Sequence, residues 1–215
     1  MIRRIVASAA ILFASFNSFA ADNHDHQEAP IADMSKAYTL LDQPQAVPAN
    51  GNVHVEELFW YGCSHCFSLE EHVKSWSAKL PSDVEFSRIP AMFGKSWVIH
   101  AQLYYMSEVL GITEQSHGDI FKAIHINGQR LQRKSEQKEF FAAYGVSAED
   151  FDKAYSSFTV KSRLQQGDKR IRAYRVSGVP AVVVNGKYLV DAGSAGGQHN
   201  MFKVVDYLIE QERKK

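Results

Sequence analysis

The chain contains two cysteines, Cys63 and Cys66, and they stand three residues apart. A bridge closing so short a loop removes little chain entropy, so this pair cannot staple a fold. Stability has to come from a core, and 215 residues that are 45% hydrophobic are enough to build one. The same composition excludes a wholly disordered chain, and the length favours one domain or one domain with an insertion. The cysteine pair is therefore read as chemistry. A zinc site normally takes a second ligand pair, and no further cysteine exists to supply it. Within the folded part no His-x-His or His-x-x-His partnership stands in for one. Neither a metal nor an organic cofactor is expected.

The surroundings of the pair sharpen the reading. Val53-His54-Val55-Glu56-Glu57-Leu58-Phe59-Trp60-Tyr61 is rich in β-branched and aromatic residues and reads as a strand, which Gly62 breaks. Ser64 to Lys79 reads as a helix with Phe67, Leu69, Val73, Trp76 and Leu80 on one side and Pro81 beyond its end. Val84 to Ile89 reads as a second strand, which makes a βαβ unit and a parallel strand pair. The cysteines fall where strand gives way to helix, so Cys63 is expected at the helix N-terminus. Unpaired N–H groups and the helix dipole there stabilise an anion and lower a thiol pKa. Cys66, one turn later, faces inward as the resolving partner. His65 between them either adds positive charge beside the thiolate or is a plain solvent-exposed turn histidine. By two-residue alternation Val53, Val55, Glu57 and Phe59 share one strand face. Glu57 is then either an acid at a sheet edge with its head in water, or a buried and functional one. Glu56, on the opposite face, is expected to be a plain charge.

Beyond the second strand the texture changes. Between Ser96 and Arg175, Trp97, His100, Ala101, Tyr104, Tyr105 and Glu108 recur at helical spacing, and Gly111, Gly118, Gly128 and Gly145 punctuate four or five helices. Ser147 stands as a helix N-cap with Asp150 at its third position, close to a capping box. Ala181 to Val184, Asn185-Gly186 and Lys187 to Val190 then give a strong hairpin signal, because Asn-Gly suits a tight two-residue turn. A closing helix is expected from about Gln198 to Arg213, with Met201, Val204, Val205, Leu208 and Ile209 on one side.

The start of the chain reads as an export signal. Arg3 and Arg4 precede an uncharged, mostly apolar run from Ile5 to Phe16, and Ser18-Phe19-Ala20 offers small residues at the two positions a signal peptidase reads. Cleavage is expected after Ala20, leaving a soluble exported protein in a compartment where disulfides persist. Residues 21–36 read as a flexible polar tail. His24 and His26 in it invite a metal reading, but a loose tail provides no prearranged geometry. The 24 basic residues are balanced by 24 acidic ones, so no basic excess exists to neutralise a phosphate backbone, and nucleic acid is not an expected partner.

Phe59-Trp60-Tyr61-Gly62-Cys63-Ser64-His65-Cys66-Phe67, the export signal, the long helical block and Gly178-Val179-Pro180-Ala181 before a hairpin together resemble the DsbA family of periplasmic disulfide oxidases. The resemblance covers essentially the whole mature chain in motif order as well as content. It implies an α/β thioredoxin-like fold with an α-helical domain inserted between its βαβ and ββα halves. Residues 37–95 would form the first half, 96–175 the insertion and 176–215 the second half. It also implies that Cys63 and Cys66 are the catalytic pair, and that Pro180 is a cis proline beside them. Val179 would offer its backbone to an extended substrate, and Glu57, six residues before Cys63, would be the buried acid beneath the pair. Burial would raise its pKa and let it exchange a proton with Cys66. An apolar surface around Phe59, Trp60 and Val179 would suit unfolded chains, although Phe59 reads equally as core. The implied partners are partly folded secreted proteins with free thiols and a membrane quinone-linked oxidase of the DsbB type, in the periplasm of a Gram-negative bacterium, with a monomer as the expected state. Many members carry proline where this chain has Ser64, and the dipeptide between the cysteines tunes the redox potential. The rival readings are a reductase or isomerase on the same fold and, in another class, a metal-binding or chaperone-like module.

Overall fold

The computed structural model describes Ile31 and residues 33–214. The expected export segment, His24 and His26 lie outside the described residues. In chain order the elements are β1 (Thr39–Leu40), β2 (Val53–Phe59), α1 (Ser64–Ser77), β3 (Val84–Pro90), α2 (Lys95–Val109), α3 (Thr113–His125), α4 (Lys134–Ala142), α5 (Ala148–Ser156), α6 (Phe158–Tyr174), β4 (Ala181–Val184), β5 (Tyr188–Asp191) and α7 (Met201–Arg213). The five strands form one sheet in the order β1-β5-β4-β2-β3. β2 runs parallel to β3, with α1 as the crossover, and antiparallel to β4. A βαβ unit and a ββα unit therefore share one sheet, with five helices between them in the chain.

Every residue of β2 is buried, because the strand is central and covered on both faces. On one face Val53 and Val55 pack with Leu69 and Val73 of α1 and with Val204 and Leu208 of α7. On the other, Leu58 packs with Ile171 and Tyr174 of α6 and with Ala181 and Val183 of β4. This two-sided cover corrects the expectation for Glu56. It is a buried carboxylate, held by Arg170 of α6 through Nε to Oε1 at 2.7 Å and Nη2 to Oε2 at 3.0 Å, with the Tyr174 hydroxyl donating to Oε2 as well. Arg170 also donates to the Ala46 carbonyl at 2.9 Å. Its fork thus joins α6 to the middle of the sheet.

The turn between β4 and β5 forms as the Asn-Gly pair predicts. Asn185 and Gly186 both take left-handed backbone (φ 51° and 65°), and the Lys187 N–H donates to the Val184 carbonyl at 3.0 Å. The Ser147 cap also forms, its hydroxyl accepting the Asp150 N–H at 3.0 Å. Gly118 differs from expectation: it lies inside α3 and ends nothing. Two further differences lie near the start of the described chain. Ile31 and Met34 pack against the core, so the polar reading of the tail does not extend to them. β1 has no counterpart in the sequence reading, because its two exposed residues carry no pattern and it exists through its pairing with β5.

Candidate active site

Cys63 is the N-cap of α1. Its backbone is extended (φ −89°, ψ 117°) and its Sγ accepts the Cys66 N–H at 3.3 Å, the role a serine or aspartate oxygen plays at other helix starts. The Cys63 N–H donates to the Trp60 carbonyl at 2.9 Å, so the turn after β2 aims the side chain before the helix begins. The Cys63 thiol in turn donates to the Val179 carbonyl at 3.5 Å. Both cysteines are free thiols; Cys63 is partly exposed and Cys66 is fully buried. The Cys63 pKa is lowered to about 6. The hydrogen bond from the Cys66 thiol contributes most. Partial burial works against it, and the backbone N–H groups of Cys66 and His65 together with the His65 charge add to the lowering. Cys66 moves far the other way, chiefly because its thiolate would be desolvated. One sulfur is thus prepared to carry charge in partial contact with solvent, and the other to keep its proton.

The second wall of the site is the loop before β4. The Val179–Pro180 peptide bond is cis, Pro180 is buried, and the Val179 carbonyl faces the Cys63 sulfur. Beside it lies a groove of about 290 Å³ lined by His65, Gly178, Val179, Pro180, Gly193 and Gln198 among others. Gln198 Nε2 donates to the His65 carbonyl at 2.5 Å and ties the start of α1 to the segment before α7. His65 itself is exposed.

Glu57 lies in the interior, only 1% exposed. Burial pushes its carboxyl up to about 7 from an ordinary 4.5; the Arg88 charge opposes this and the nearby Glu70 charge supports it. Arg88 Nε donates to Glu57 Oε2 at 2.9 Å, and its Nη2 donates to Glu70 Oε1 at 3.4 Å. Glu70 Oε2 lies 3.3 Å from His117 Nε2, and His117 Nδ1 is 2.8 Å from the Tyr61 hydroxyl. The Glu57 charge also adds, as a minor cause, to the raised pKa of Cys66, so Glu57 lies within electrostatic reach of the pair. The sequence reading found Glu57 and missed Arg88, Glu70 and His117. A signal for the first two was present: Arg88 is a lone cation in the second strand, in parallel register with Glu57, and Glu70 follows Cys66 by one helical turn.

Trp60 is partly buried, and Phe59 is wholly core. The Trp60 indole lies against Gly62, where an added Cβ would sit 2.7 Å from Cε2 and nearer still to Cζ2. The same ring stacks on Trp97 of α2, with centroids 4.0 Å apart and planes 9° from parallel. The structure therefore brings Cys63, His65, Cys66, Val179 and Pro180 together around the start of α1, with Cys63 partly open to solvent and His65 exposed, Glu57 in the interior within electrostatic reach of Cys66, and Trp60 in the turn before Cys63. Among the described residues no cluster of three or more His, Cys, Asp or Glu is arranged to hold a metal, and no helix is long and apolar enough to cross a membrane.

The family model described as the DSBA-like thioredoxin domain matches residues 54–208. The thiol:disulfide interchange protein DsbA of Azotobacter vinelandii is 44% identical over 213 residues, covering 98% of both chains. That of Pseudomonas aeruginosa is 41% identical over 211 residues, covering 98% of this chain and 97% of the relative. Among solved structures, Pseudomonas aeruginosa DsbA superposes with a TM-score of 0.79 at 44% identity, covering 84% of this chain and 94% of that one. The oxidoreductase DsbA from Xylella fastidiosa gives 0.78 at 31% identity over 83% and 96%. The fold is thus the thioredoxin-like one with its helical insertion, and the chain belongs to the DsbA family.

Proposed function

We propose that Cys63 and Cys66 are the exchanging pair of a thiol:disulfide oxidoreductase that introduces disulfide bonds into newly exported proteins. The observation that carries this is the asymmetry of the two sulfurs: Cys63 caps α1 beside the Val179 carbonyl with its pKa lowered to about 6, while Cys66 is buried and stays protonated. In the oxidised protein a substrate thiolate attacks Cys63 Sγ. The Cys63–Cys66 bond breaks, a mixed disulfide forms, and Cys66 leaves with the electron pair and takes up a proton. Glu57, whose carboxyl is poised at about 7, serves as the local proton store for that step. A second substrate thiolate then attacks the substrate sulfur of the mixed disulfide and releases Cys63 as a thiolate. Two electrons have passed from the substrate dithiol to the protein pair. Whatever stabilises the Cys63 thiolate stabilises the reduced protein, so the geometry favours oxidation of the substrate over its reduction.

The Val179 backbone and the adjoining groove receive the substrate segment in an extended form. His65 supports the thiolate, Pro180 shapes the loop that carries Val179, and Trp60 forms the apolar border. The work takes place in the periplasm of a Gram-negative bacterium after removal of residues 1–20, with residues 37–95, 96–175 and 176–215 as first half, insertion and second half. A membrane quinone-linked oxidase of the DsbB type restores the disulfide, and the protein acts as a monomer without a cofactor. The deciding measurement is the reduction potential of the pair in glutathione buffers, with trapping of free thiols. A value near or above about −180 mV supports an oxidant, and one near about −270 mV means a reductase. Cys63→Ser has to abolish turnover; retained activity would point to a chaperone-like binder.

A further inference from the structure

Helix α3 carries His117, Phe121 and His125 at successive steps of four residues, so the three side chains form one stripe along it. All three meet Tyr61, which is fully buried two places before Cys63. His117 Nδ1 lies 2.8 Å from the Tyr61 hydroxyl, and the Phe121 ring meets the Tyr61 ring edge-on with centroids 5.0 Å apart. His125 Nε2 lies 2.8 Å from the Tyr61 carbonyl; because a carbonyl oxygen only accepts, this nitrogen carries the proton and donates. The His125 ring also stacks on Phe67, the residue after Cys66, with centroids 4.9 Å apart and planes 5° from parallel. One imidazole at the end of α3 thus touches the chain on both sides of the cysteine pair.

The Tyr61 carbonyl and the Gly62 nitrogen belong to one planar peptide group, so the bond from His125 fixes that plane. The next plane is held from Trp60, whose carbonyl accepts the Cys63 N–H at 2.9 Å. Gly62 has no Cβ to restrict its dihedral angles, and these two bonds restrict them in its stead. We propose that His125 is a positioning residue for the exchange reaction: by holding the Tyr61 carbonyl it keeps Cys63 Sγ seated at the N-cap of α1. The stack on Phe67 sets the plane in which the imidazole donates. This rests on the reading that Cys63 is the exchanging sulfur. Without the bond the Tyr61–Gly62 plane turns more freely, and Cys63 Sγ spends less time within reach of the Cys66 N–H. The thiolate loses support, the reduced form is less favoured, and the pair becomes a weaker oxidant. A helix of the inserted block thereby sets the redox properties of a pair that belongs to the other part of the chain.

Two variants of the full chain separate the contacts. His125→Phe keeps an aromatic ring against Phe67 and removes the donor, whereas His125→Gln keeps an N–H donor of similar reach and removes the ring. Thiolate absorbance across pH gives the Cys63 midpoint, and equilibration in glutathione buffers gives the redox constant. His125→Phe is expected to raise the midpoint above its parent value of about 6 and to shift the glutathione equilibrium about fivefold toward the disulfide form. His125→Gln is expected to stay near the parent in both. Phe151→Leu is the control for lost stability alone: its ring meets Phe141 and Tyr155 within the helical block, so urea titration should register a loss while the midpoint stays put. Unchanged values in His125→Phe, an equal shift in His125→Gln, or the same shift in Phe151→Leu overturns the proposal. Turnover by Cys63→Ser would overturn the reading beneath it, so the two failures are distinct.

Discussion

Replacing Cys66 with alanine tests the electrostatic account of Cys63 most directly. The hydrogen bond from the Cys66 thiol is the leading cause of the lowered Cys63 pKa, and it vanishes in Cys66→Ala, whereas the backbone N–H groups of Cys66 and His65 remain. A hydrogen bond to a charged acceptor contributes about 1.5–3 kcal/mol, and each pH unit corresponds to about 1.4 kcal/mol. The thiolate midpoint should therefore rise from about 6 to about 7 to 8. At pH 7 the ionised fraction falls from about nine-tenths to between about one-half and one-tenth. Cys66→Ser keeps a hydroxyl donor at the same place and should hold the midpoint near that of the parent. Thiolate absorbance followed across pH is the suitable assay. A rate of alkylation at one pH would mix ionisation with the greater nucleophilicity of a more basic thiolate. A midpoint that stays at about 6 in Cys66→Ala would assign the stabilisation to the helix N-terminus alone and refute the leading role of the second thiol. An equal rise in Cys66→Ser would refute the hydrogen bond as its means.

Three further outcomes are expected. Glu57 holds its proton more tightly in the folded protein (about 7) than at its ordinary value of 4.5, so its contribution to stability is greatest below about 4.5 and is lost as pH rises through about 7, by about 3 kcal/mol in all. Glu57→Gln should remove this slope in urea titrations across that window, and parallel stability curves for parent and variant would contradict it. Arg88→Met leaves Glu57 and Glu70 buried without their shared cation and should cost about 3–5 kcal/mol at neutral pH, read by the same titrations; a loss below about 1 kcal/mol would show that the carboxylates find other partners. Gly62→Ala drives a methyl group into the Trp60 ring, so it should cost about 1–3 kcal/mol and weaken the near-ultraviolet circular dichroism of the Trp60–Trp97 stack, whereas an unaltered spectrum would mean that the turn yields instead.

What could be read from the sequence was what is decided locally. The hairpin followed from Asn185 and Gly186, because few other dipeptides tolerate left-handed backbone at both positions. The position of Cys63 followed from a strand ending in glycine just before a helical pattern, and that junction fixes the cap. Glu56 shows where the method stopped. Alternation puts it on the face opposite Glu57 correctly, but whether that face meets water depends on α6, whose Arg170 lies 114 residues further along. Of the Glu57–Arg88–Glu70–His117 chain only the first member was visible, for the same reason. One acid was noticed from its own strand, while its partners come from β3, α1 and α3 and meet only once the register is set. β1 carries too few residues to show any period.

The Arg170 fork has a consequence for anyone who would miniaturise the protein. The helices between β3 and β4 look like a cassette that could be excised to leave a smaller redox module. Yet Ile171 and Tyr174 of α6 shelter Leu58, Ala181 and Val183, and Arg170 supplies the cation opposite Glu56. A chain trimmed from residue 94 straight to 176 would show water an apolar sheet face with a stranded carboxylate at its centre, a surface prone to self-association. A minimal version therefore has to retain α6, or supply another helix with the same apolar face and a guanidinium at the same place.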